Sequence, residues 1–139
     1  MPEAALQAGV IPYRVRPDGT VQILLVTNRA GEWIVPKGKI DPGYSPQEAG
    51  RVEAYEEAGV IGYPDTQELG HYDYRKPNGL AYRVVLFPMP VMRQLEEWPE
   101  KAERSREWMT VDEAIRRIAF SNLRDVIERM ERFEQHDAA

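Results

Sequence analysis

Apolar residues recur with two different periods along this 139-residue chain, and the change of period marks its elements. GVIPYRVR (9–16) and TVQILLVTN (20–28) are dense in β-branched and apolar residues, with Pro17-Asp18-Gly19 between them, which predicts a hairpin. EWIVP (32–36) predicts a short third strand. LGHYDYRK (69–76) and LAYRVVLFPM (80–89) flank Pro77-Asn78-Gly79 and predict a second hairpin, and REWMT (106–110) predicts a last short strand. The spacing then switches to that of helices. Ser45-Pro46-Gln47-Glu48 is a capping box with proline in the first turn, and Gly59 is placed to stop the helix, which predicts a helix over 46–58. Gly50 inside it lowers the helix propensity by up to ~1 kcal/mol. Thr110 and Glu113 repeat the box and predict a helix over 111–119. Leu123, Val126, Ile127 and Met130 keep one face and predict an amphipathic helix over 122–133.

The loop KGKIDPGY (37–44) holds two glycines and a proline and is read as irregular, and EQHDAA (134–139), with His136, as a frayed tail. The order of strands, helix, strands and two helices, with no internal repeat, predicts one domain over 1–139. Its class is α/β (α+β), a mixed β-sheet with helices on its faces.

Composition narrows the partners. Apolar residues make up 42% and charged residues 29%, the balance of a folded globular chain. Cysteine is absent, so no disulfide or thiolate metal site is available. No apolar run approaches the ~20 residues of a membrane span, and MPEAALQAG lacks the features of a secretory signal. A cytoplasmic location without membrane contact is the expectation. A net charge of −5 argues against nucleic acid as partner, while leaving room for a small polyanion where basic residues converge.

The candidate chemistry lies in Glu53, Glu56 and Glu57, which on a helix stand at i, i+3 and i+4 and share a face. Uncompensated, each like-charged pair costs roughly 0.2–0.5 kcal/mol, and no lysine lies on that face. A solvated acidic stripe is one reading. A hard divalent cation, which takes oxygen ligands and bridges to phosphate, is the other.

From Gly38 to Val60 the sequence resembles the Nudix hydrolases, whose box reads G-x5-E-x7-R-E-U-x-E-E-x-G-U with U apolar. Gly38, Glu53, Ala54, Glu56, Glu57, Gly59 and Val60 fall on that pattern, and WIVPKGKI and REWMTVDEAI extend the likeness to the diphosphoinositol and diadenosine polyphosphate branch. The resemblance implies an α/β/α sandwich and Mg²⁺- or Mn²⁺-dependent hydrolysis of a phosphoanhydride in a nucleoside diphosphate linked to another group. It implies Glu53 and Glu57 as metal ligands and Glu56 as the base for the attacking water, with the three roles open to permutation and the Gly38 carbonyl as a further ligand. Arg29, Arg75, Lys76 and Arg106 match basic positions of that branch; with Lys37, Lys39 and Arg104 they are the candidate phosphate-binding residues.

The branch's N-terminal basic cluster is missing, which favours a dinucleoside polyphosphate over a diphosphoinositol polyphosphate as the small-molecule partner of a monomer or homodimer. Two box positions depart: the family's first glutamate is Tyr44 and its arginine is Val52, with Arg51 turned about 100° away on the helix. They motivate the alternative of a nucleotide-binding protein on the same fold with weak or lost catalysis. Tyr74 and Tyr82 are read as strand packing or as a base-stacking surface, Trp33 and Trp108 as support, and His71 carries no assignment.

Overall fold

A computed structural model of the chain describes residues 4–133; the tail and His136 lie outside the described residues. Eight strands form a mixed sheet: β1 Ala5–Val15, β2 Val21–Thr27, β3 Trp33–Ile34, β4 Lys37–Lys39, β5 Val60–Gly62, β6 Gly70–Arg75, β7 Ala81–Gln94 and β8 Arg106–Thr110. The helices are α1 Pro46–Glu53, continued by a π-helical turn Ala54–Ala58, then α2 Val111–Arg117 and α3 Ser121–Glu128, continued by a 3₁₀ turn Arg129–Phe133.

β1 runs parallel to β7 from Ala5 to Tyr13. Its other edge is shared, with Gln7–Gly9 antiparallel to β4 and Tyr13–Val15 antiparallel to β2. β2 carries β3 and β8, and β7 carries β5 and β6, all antiparallel.

The near-continuous apolar runs of β1 and β2 follow from burial on both faces. Ile11, Ile23 and Leu25 enter a core with Val84, Leu86 and the apolar faces of α2 and α3. Their neighbours Val10, Leu24 and Val26 enter a second core with Ala54, Ala58, Phe87 and Met89. The period of two thus splits each strand between two helical layers, an α/β/α sandwich.

Both predicted hairpins form, and both capping boxes close, with the Ser45 and Thr110 hydroxyls accepting from the Glu48 and Glu113 amides. Several elements differ from expectation. Residues 37–39, read as loop, form β4 because the N-terminal half of β1 would otherwise present an open edge on that side. β5 was not predicted, and β7 runs on to Gln94 to pair with it. α2 ends at Arg117 because Ile118 turns extended and bridges to Trp33. Helix 46–58 keeps its span but ends in the wider π turn. Gly50 sits where α1 crosses β1: a Cβ there would lie 2.9 Å from Val10 Cγ1 and 3.1 Å from the Gly9 carbonyl oxygen. No helix of the described residues is long and apolar enough to cross a membrane.

Candidate active site

β4 and α1 meet at Gly38. Along β4 the side chains alternate, so Gly38 faces α1 while Lys37 and Lys39 emerge on the other face of the sheet. A Cβ at position 38 would collide with the Glu53 carboxylate, so only glycine leaves space for that group.

The π turn starts one residue after Glu53 and re-aims the two carboxylates that follow. Glu57 is 5% exposed and Glu56 is half-buried. The Glu57 carboxylate accepts from the Lys37 backbone N–H at 3.4 Å and lies 3.7 Å from the Arg104 guanidinium. Burial pushes the Glu57 carboxyl up to about 8, with the neighbouring Glu53 adding to the rise and Arg104 opposing it. Glu53 is also raised, by burial first and then by the charges of Glu56 and Glu100.

In this conformation no three carboxylate or imidazole groups among the described residues close around one point. The residues nevertheless fit a hard cation. The ligand set is all oxygen, Gly38 keeps the space beside Glu53 clear, and the half-buried Glu53 and buried Glu57 are neighbouring carboxylates that both hold their protons more tightly than usual.

The predicted cations separate into three groups. Lys37 and Lys76 come together over a stacked tyrosine pair: the Lys37 ammonium lies 4.9 Å from the Tyr74 ring centroid, the Lys76 ammonium 5.0 Å from that of Tyr82, and the two rings are 5.2 Å apart. Burial lowers the Lys37 pKa, and Glu57 opposes that shift. Arg29 and Arg104 line a cavity of about 330 Å³ with Asn28, Glu100 and Glu103, bordering the acidic turn. Lys39 is exposed and makes no ion pair among the described residues.

Two expectations are corrected. Arg75 stands on the face of β6 opposite Tyr72 and Tyr74 and donates to the Gly79 carbonyl of its own hairpin turn, at 2.6 Å. Arg106 is spent on the backbone, donating to the carbonyls of Ala58 at 2.8 Å and Leu95 at 2.7 Å with its plane 3.8 Å above the Trp98 ring. Arg106 is thereby committed to the backbone, and Arg75 lies away from the Lys37 and Lys76 side of the sheet.

Sequence reasoning overlooked Glu100, which holds Arg104 at 2.8 Å, and Gln7, which is buried and accepts from the Tyr74 hydroxyl at 2.9 Å. The i, i+4 spacing of Glu100 and Arg104 was the available signal. Gln7 carried none. At the departures, Tyr44 is exposed, and Val52 lines an apolar cavity with Tyr55, Val60 and Ile61. Arg51 lies over Tyr63, away from the glutamates. The cation beside Glu57 is Arg104.

An α/β/α sandwich of this topology, with a carboxylate-lined turn set against a glycine-bearing strand, defines the class of domain to which the chain belongs. The chain belongs to the Nudix family: the NUDIX domain profile matches residues 5–130. It is 41% identical over 114 residues to Nudix hydrolase 18, mitochondrial, of Arabidopsis thaliana, covering 76% of this chain and 64% of that protein. The chain therefore spans less than two thirds of that relative. It is 30% identical over 112 residues to diphosphoinositol polyphosphate phosphohydrolase 3-alpha of Mus musculus, covering 79% of this chain and 66% of that protein. Its fold is similar to the crystal structure of the C. elegans Ap4A hydrolase, with TM-score 0.73 and 19% identity over 94% of this chain and 98% of that one.

Proposed function

We propose that the chain is a metal-dependent pyrophosphohydrolase acting on a dinucleoside polyphosphate or a related phosphate-dense compound, in a cytoplasmic setting. The observation that carries this reading is the pairing of the half-buried Glu53 with the buried Glu57 beside Gly38, two carboxylates that one cation would allow to ionise together.

Glu53, Glu57, Glu56 and the Gly38 carbonyl would hold Mg²⁺ or Mn²⁺, whose contribution when bound is to neutralise charge on the phosphate chain. Glu56, half-buried on the same turn, takes the proton from the attacking water. Arg104 keeps the Glu57 carboxylate turned toward the site. Arg29 receives phosphate oxygens on the cavity side, and Lys37, Lys39 and Lys76 on the sheet side. Tyr82, half-buried at the end of the tyrosine stack, offers a ring face to a base. The names of the Ap4A hydrolase neighbour and the diphosphoinositol polyphosphate phosphohydrolase relative support this substrate class.

The test is a panel of dinucleoside polyphosphates, nucleotide sugars, nucleoside triphosphates and inositol pyrophosphates, assayed with Mg²⁺ and with Mn²⁺ and read by product mass. The expected result is cleavage of a dinucleoside polyphosphate that requires metal and is lost in Glu57→Gln. Ligand binding with no product after long incubation would instead establish a binding protein on a Nudix fold, and full turnover in excess chelator would overturn the metal.

A further inference from the structure

A helix ends with carbonyls that find no partner within it, and here those groups belong to the turn that carries the acidic residues. Each has a separate donor, all drawn from one segment, residues 95–106. The Glu56 carbonyl accepts from the Glu100 backbone N–H at 3.0 Å, and the Gly59 carbonyl from the Leu95 backbone N–H at 2.8 Å. Between them, the Glu57 carbonyl accepts from the Trp98 indole N–H at 3.2 Å and the Ala58 carbonyl from Arg106 at 2.8 Å. Arg106 stacks on the Trp98 ring, so the two side-chain donors fix one another. Gly59 has φ +66°, and a Cβ there would lie 2.6 Å from the indole and 2.8 Å from the guanidinium. The two side chains are therefore fitted to the turn as closely as the glycine is.

We propose that Trp98 and Arg106 are positioning residues for the reaction, a clasp that holds the π turn in the orientation that presents Glu56 and Glu57. The clasp acts on backbone carbonyls and touches neither substrate nor carboxylate. It rests on the function proposed above. A π turn is the less stable helical form, and without its outside donors the last turn relaxes toward α-helical geometry, which moves both carboxylates relative to Glu53.

Trp98→Phe keeps a ring beneath Arg106 and removes the single indole N–H; Arg106→Lys keeps the charge and removes the fork. Three quantities are compared with the wild type: backbone amide exchange of residues 55–60 in metal-free protein, Mn²⁺ affinity by calorimetry, and kcat against KM. In each variant, exchange over 55–60 accelerates while β1, β2 and β7 stay protected. Mn²⁺ affinity and kcat both fall roughly tenfold or more while KM stays near its wild-type value, as expected for displaced catalytic groups.

Faster exchange with wild-type Mn²⁺ affinity and kcat would make the pair a helix cap only and overturn the proposal, as would unchanged exchange in both variants. A fall in melting temperature together with loss of protection throughout the sheet would do the same, by making the role one of general stability. A wild type that binds no Mn²⁺ and cleaves nothing defeats the proposed function instead, and the exchange comparison then decides the clasp alone.

Discussion

Position 52 shows how a single side chain misleads when it is read alone. Valine there removes the arginine that a Nudix box places one turn before Glu56, yet a guanidinium still stands 3.7 Å from Glu57, supplied by Arg104 from a distant segment. Val52 lines an apolar cavity and Tyr44 is exposed, so Val52→Arg with Tyr44→Glu adds at most a solvent-screened pair of low value, and kcat/KM should change by less than about threefold. Arg104→Ala should cost more than tenfold or so, because it leaves Glu57 buried without its cation. Steady-state kinetics of the two variants side by side checks both. The glutamates were legible because their spacing in sequence is their spacing on the helix. Arg106 was misread because basic character does not tell whether a phosphate or a carbonyl is the acceptor. Glu100 and Arg104 were passed over as a pair because their segment acquires meaning only once it folds back on the turn.

Among the elements, α1 and β4 set the site, and each hides a cost in its glycines. Propensity alone says Gly50→Ala should stabilise α1 by up to ~1 kcal/mol. The added methyl would meet Val10 Cγ1 at 2.9 Å in a fully buried interface, where overpacking costs about 1–3 kcal/mol. Urea unfolding of Gly50→Ala should show a net loss of stability, and a gain would mean that α1 stands further from β1 than described. At the start of α1, Ser45→Ala removes the acceptor for the Glu48 amide and should cost about 1 kcal/mol in the same assay. The helix starts were readable because capping is local chemistry. The π turn and β4 were not, since donors from 95–106 settle the first and the uncovered edge of β1 settles the second.

For the molecule as a whole, the buried Glu57 carboxyl links stability to pH and metal. The unfolded chain releases the Glu57 proton near 4.5, and the folded chain holds it to about 8. The stability this contributes is fully present below 4.5 and is lost as pH rises through about 8. Metal-free protein should therefore weaken by roughly 1 kcal/mol per pH unit between about pH 5 and 8 in urea titrations with chelator. Glu57→Gln should flatten that slope while abolishing activity, and Mn²⁺ should stabilise the wild type more at pH 8 than at pH 6. A slope that is equally steep in Glu57→Gln would place the titrating group elsewhere. The sandwich itself was legible at this scale, because strands buried on both faces leave long apolar runs. The strand order was not, since the parallel match of β1 with β7 spans most of the chain.

That match has a consequence for manufacture. β1 is made before its partner on one flank, which follows only from residue 81, and its other flank at Gln7–Gly9 is the rail on which Lys37–Lys39 rests. A protease that trimmed the chain back to Val10 would spare most of both cores and still unseat Gly38, so the leading end of a preparation is worth checking by mass before any assay is believed.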